Sequence, residues 1–194
     1  MEWRLFEENT VPHVSTAEFH RDRERAPHLE QTHHRPRMDL ALDCVRAAEN
    51  WYARPTLSDL GAGDGGFLTL VAPFVERAWG YDLCPANVVG AAERGVDVRL
   101  QDFTVERPEL GTVTTMLEVL EHVARPHDLV RAVRNAGVRV LIASSPVDET
   151  EASHDAVHAW AWDMPGYRAM IESGGWNVVR HETAGRYQVV LARR

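Results

Sequence analysis

The chain has 194 residues, 44% of them hydrophobic and 26% charged, enough for one well-buried domain and short for two. All 21 basic residues are arginine, which excludes a phosphate-loop lysine and any Schiff-base chemistry. A net charge of −8 makes nucleic acid an unlikely partner, and no apolar run approaches the roughly 18 residues of a membrane span.

Met1-Glu2-Trp3-Arg4 carries no signal-peptide core, and Cys44 and Cys84 form neither a disulfide framework nor a metal-ligand pair. A reducing cytoplasm with inert thiols is the expectation. Residues 1–37 are polar and punctuated by Pro12, Pro27 and Pro36, and read as an N-terminal extension. Within it, His20 to Arg37 is rich in arginine and reads as a solvated polar face. Helical spacing of Leu40, Leu42, Val45 and Ala48 predicts a helix over 38–51, ended before Pro55.

Strands and helices then alternate. Strands are expected at Thr56–Leu60, Ala78–Asp82, Val96–Leu100, Val113–Leu117 and Val138–Ser144, with helices from Phe67 to Val75, from Pro85, from Pro126 to Arg134 and near Pro165–Ser173. Two strands close the order, Trp176–Glu182 and Tyr187–Ala192, joined by a link short enough for a hairpin. The fold class is α/β: a doubly wound, Rossmann-like sheet of seven strands, mostly parallel, with an antiparallel last strand.

In such a sheet the ligand lies beyond the carboxyl ends of the strands. The first strand delivers Asp59 and the turn Gly61-Ala62-Gly63-Asp64-Gly65-Gly66. Gly61, Gly63 and Gly66 fit the dinucleotide spacing, for which the ligand is a pyrophosphate. Asp59 and Asp64 suit an ammonium or sulfonium ligand better. Asp82, 23 positions after Asp59, ends the second strand and can accept hydrogen bonds from two ribose hydroxyls. Asp102 and Phe103 follow the third strand, and Glu118-Val119-Leu120-Glu121-His122 follows the fourth.

Four such motifs in register resemble a class I S-adenosylmethionine-dependent methyltransferase, of the broad small-molecule group that includes the ubiquinone-biosynthesis type, over residues 38–194. The resemblance implies that S-adenosyl-L-methionine is the cofactor. It implies contacts from Asp59, Gly61, Gly63 and Gly65 to the methionine part, from Asp82 to the ribose, from Asp102 and Phe103 to the adenine, and from Glu118 beside the methyl group, with Leu83 also in the cofactor site. The acceptor is expected to be a small molecule methylated on O or N, and residues 1–37 are expected to fold over the site as a lid anchored by Trp3, Phe6 and Phe19.

An acceptor that must lose a proton needs a general base, for which His122 and His158 are the candidates ahead of His154. Three alternatives stay open. Glu118, Glu121, His122 and His158 resemble the metal site of RNA 3′-terminal ribose 2′-O-methyltransferases; the expectation is no metal. An NAD-dependent oxidoreductase could use the same glycines, and a non-catalytic cofactor-binding protein could use the same pocket.

Overall fold

The protein is described here by a computed structural model covering residues 1–5 and 17–194. In chain order the elements are β1 (Glu2–Arg4), α1 (Ala17–His20), α2 (Arg35–Glu49), β2 (Thr56–Leu60), α3 (Gly66–Val71), β3 (Arg77–Asp82), α4 (Pro85–Arg94) and β4 (Val98–Leu100). Then follow β5 (Val113–Leu117), α5 (Pro126–Asn135), β6 (Val140–Pro146), β7 (Trp160–Trp162), α6 (Met164–Ser173), β8 (Asn177–Ala184) and β9 (Tyr187–Arg193). The expected alternation is present. α2 starts at Arg35, ahead of the expected Met38, because Pro36 falls in its first turn, where a missing N–H costs nothing.

The main sheet has the order β4-β3-β2-β5-β6-β9-β8. β2 to β6 pair in parallel, while β9 runs antiparallel to both β6 and β8. The reversed strand is thus last in the chain but interior in the sheet. Gly185, at φ +64°, opens the two-residue turn that makes the β8–β9 hairpin.

Strand alternation divides the core. Leu141 and Ala143 pack with Val130, Trp162 and Tyr167 below the sheet, whereas Val140 and Ile142 pack with Val45, Phe67 and Leu68 above it. Outside this sheet, β1 pairs with β7 as a separate antiparallel ribbon. Three-residue strands carry too little pattern for the sequence to announce that ribbon. Among the described residues no helix is long and apolar enough to cross a membrane.

Candidate functional site

Strand order reverses at β2, which has β3 on one side and β5 on the other, so a crevice opens at the carboxyl ends of these strands. A cavity of about 380 Å³ occupies it. Gly61 and Gly63 line that cavity with bare backbone, at φ +76° and +57°. Gly65 lies beyond the wall as the N-cap of α3, where a Cβ would come within 2.3 Å of Val96 Cγ2. Its glycine serves close packing of the turn on the loop after α4.

The carboxylates divide into three uses. Asp82 and Leu83 line the cavity. Asp82 Oδ2 accepts from Gly63 N–H at 2.8 Å, and Oδ1 accepts from Cys84 N–H at 2.8 Å and Asn87 Nδ2 at 3.1 Å, so this one group ties the glycine turn to the start of α4. Asp64 faces cations of the chain itself: Arg25 Nε and Arg94 Nη2 donate to its Oδ2 at 2.9 and 2.7 Å. Its charge is therefore taken by two arginines and not reserved for a ligand. Asp102 caps its own turn, accepting from Thr104 N–H and Oγ1, while Phe103 beside it reaches the cavity.

Asp59 lies beneath the turn, 2% exposed, where its Oδ1 accepts from Thr115 Oγ1 at 2.6 Å. Burial outweighs that bond and raises its pKa from 3.8 to about 7. The folded state therefore holds a proton that the unfolded chain has released between about pH 4 and 7, so this group's contribution to stability falls as pH rises through that window. Asp59→Asn keeps the acceptor oxygen without the charge. It is expected to be at least as stable as the parent above pH 7 and to unfold with a flatter pH dependence across the window, as urea titrations would read.

On the floor, Glu118 sits at φ +62°, a left-handed conformation rare for a side chain of this size. The Ser144 hydroxyl donates to Glu118 Oε1 at 2.7 Å and fixes it there. Glu121 is fully buried with both carboxylate oxygens unpartnered among the described residues, and burial followed by the neighbouring Glu118 pushes its pKa well up. His122 Nδ1 is 3.2 Å from the Val157 carbonyl, which can only accept, so the proton is on Nδ1. Burial and the nearby His158 lower the His122 pKa to about 4, making it a neutral imidazole. Its ring meets His158 edge-on at 4.7 Å. His158 Nδ1 in turn lies 2.6 Å from Glu149 Oε2. Donor atoms of Glu121, His122 and His158 all fall within 4.8 Å of one another, while Glu118, outside that group, accepts from the Ser144 hydroxyl. His154, by contrast, is exposed and bonds the Asp155 carbonyl.

The N-terminal segment supplies residues that no motif announced. His28 and His34 line the cavity, with pKa values lowered to about 4 and about 3 by burial and then by Arg37. Arg37 itself is 2% exposed and lies on the wall. It donates to His34 Nδ1 at 3.2–3.3 Å and stacks on Tyr187, with no carboxylate in ion-pair reach among the described residues. A buried guanidinium so placed is a ready anion partner. Of the expected lid anchors, Trp3 is in β1, Phe19 is in α1, and Phe6 lies outside the described residues.

No family model matches the chain, and no curated protein does. Solved structures do. The N-methyltransferase NodS from Bradyrhizobium japonicum WM9, in complex with S-adenosyl-L-homocysteine, superposes with a TM-score of 0.71 at 16% identity, over 94% of this chain and 98% of that one. Magnesium protoporphyrin IX methyltransferase from Synechocystis PCC 6803, with the same ligand, gives 0.68 at 13%, over 95% and 97%. The [4+2]-cyclase SpnF gives 0.65 at 14%, over 80% of each chain. With its strand order, reversed β9 and cavity at the switch point, the chain has the fold of the class I S-adenosylmethionine-dependent methyltransferases.

Proposed function

We propose that the protein is an S-adenosylmethionine-dependent methyltransferase acting on an O or N atom of a small molecule. One observation carries the reading: at the switch point the bare backbone of Gly61 and Gly63, the Asp82 carboxylate and the buried Arg37 guanidinium converge on one cavity floored by His122 and His158. Arg37 would hold the carboxylate of the cofactor's methionine part, Asp82 its ribose hydroxyls, and Phe103 one face of its adenine. When bound, the cofactor supplies a sulfonium methyl group with a thioether as leaving group. Within the chain, His158 takes the acceptor's proton, and the walls fix the line of attack.

Titration calorimetry with S-adenosylhomocysteine and, separately, NAD tests the reading. Binding of the first at micromolar concentration or below, and none of the second, is expected; the reverse would make the oxidoreductase the better description. Residues 17–34 already lie on the turn and cavity wall, and we take them as part of the cover. Their hydrogen exchange should slow on binding. A cytoplasmic setting belongs to the same proposal: both cysteines are free and buried, and burial pushes Cys44 up to about 12.

A second reading has one observation in its favour, the convergence of Glu121, His122 and His158. Two imidazoles and a carboxylate suit a divalent ion that would activate a ribose hydroxyl of RNA. The fourth ligand that reading calls for, Glu118, is instead bonded to Ser144. Methyl transfer is accordingly expected to persist in EDTA. Its loss in chelator and its recovery with manganese or magnesium would put the metal-dependent reading first.

A further inference from the structure

The loop between β6 and β7 brings to the site a buried acidic residue that the reaction as proposed does not use. Glu149 is 4% exposed and spends its two oxygens differently. Oε1 accepts the Asp155 N–H at 3.1 Å and lies 4.0 Å from Arg186 Nη2, while Oε2 meets His158 Nδ1 at 2.6 Å. His158 is anchored from its backbone as well, its N–H donating to the Asp155 carbonyl at 3.0 Å. Glu149, Asp155 and His158 thus close a small loop in which, among the described residues, the imidazole is gripped by one nitrogen.

We propose that Glu149 is the positioning residue that keeps the His158 proton on Nδ1 and leaves the Nε2 lone pair to the cavity. A carboxylate oxygen facing Nδ1 accepts and fixes both tautomer and ring orientation. Left to itself, a histidine side chain in water prefers its proton on Nε2, the tautomer that can neither take up a proton at that atom nor bind an ion there. The neighbouring His122 carries its proton on Nδ1 through the Val157 carbonyl, so in both rings Nε2 is the nitrogen without a hydrogen-bond partner among the described residues, and both rings line the cavity. The inference rests on the reading of this cavity as a methyl-transfer site.

Long-range proton–nitrogen spectra of histidine-¹⁵N-labelled protein test it, with the His158 signals assigned by their loss in His158→Asn. The parent should show His158 as the Nδ1–H tautomer. In Glu149→Gln the single amide oxygen remains with the Asp155 N–H, so the amide NH₂ faces the ring and the proton should move to Nε2. Glu149→Ala should move the tautomer ratio the same way by at least about tenfold, the worth of one charge-assisted hydrogen bond. The isosteric Gln variant should keep the parent's unfolding midpoint and S-adenosylhomocysteine affinity, which separates positioning from simple loss of structure. An Nε2–H tautomer in the parent, or the parent's tautomer surviving in both variants, would overturn the proposal. Failure of the parent to bind S-adenosylhomocysteine would overturn the methyltransferase reading instead, because the ring signals are read without ligand.

Discussion

Gly61→Ala is expected to destabilise the protein by about 2–5 kcal/mol and to remove cofactor binding. Two costs add. A residue with a Cβ held at positive φ loses about 1–2 kcal/mol, and overpacking a full site costs about 1–3 kcal/mol more. The second applies because the new Cβ would stand 2.5 Å from Val119 Cγ2. Val119 is β-branched, 7% exposed, and adjacent to the strained Glu118, so it cannot yield without moving the floor. Gly63→Ala is the control. Its Cβ would meet His28 Nδ1 at 3.5 Å, an ordinary contact, leaving only the backbone cost. Denaturant midpoints of the two variants should differ; equal midpoints would mean that Val119 has room to move aside.

Asp82→Ala should weaken S-adenosylhomocysteine binding by about 1.5–3 kcal/mol, some 10- to 150-fold, the range for hydrogen bonds to a charged group. The same change leaves the Gly63 and Cys84 N–H groups without their acceptor, so a loss of stability should accompany it. Asp82→Asn keeps one acceptor oxygen and should fall between parent and Ala in both measurements. A folded Asp82→Ala protein that bound as tightly as the parent would show that this carboxylate only braces the turn, and the ribose would have to be held elsewhere.

Why these positions were legible follows from the architecture. A parallel sheet repeats one unit, strand then turn then helix, and each unit places its ligand residues at the same point, directly after an apolar run. Gly61, Asp82, Phe103 and Glu118 could thus be located from strand ends alone, and the cavity is lined by all four. Proximity to a strand end does not fix direction, however. Asp59 points under the turn to Thr115, Asp64 out to Arg25 and Arg94, and Asp102 back onto Thr104. Arg37, Glu149 and Tyr187 reach the site from a helix start, a loop and the hairpin; their neighbours in sequence carry no repeating signal, and only tertiary packing brings them in. The β1–β7 ribbon escaped notice for a similar reason, since Trp160-Ala161-Trp162 is too short to distinguish a strand from a buried turn.

The place of β9 has a consequence for how the molecule comes into being. A ribosome delivers the chain from its amino end, and the strands that build the switch point, β2 to β6, emerge well before Tyr187. Yet among the described strands β6 and β8 are bridged only by β9. Until residues 187–193 are free to insert, the nascent sheet has a gap in its interior and two unpaired edges, the surfaces through which incomplete sheets recruit one another. Closing that gap joins β9 to β6, a strand made well before it, so the crevice at the switch point stays on an unfinished scaffold until synthesis has passed Arg193. A cut or stop just ahead of Tyr187 would spare every residue of the glycine turn and still leave the sheet divided.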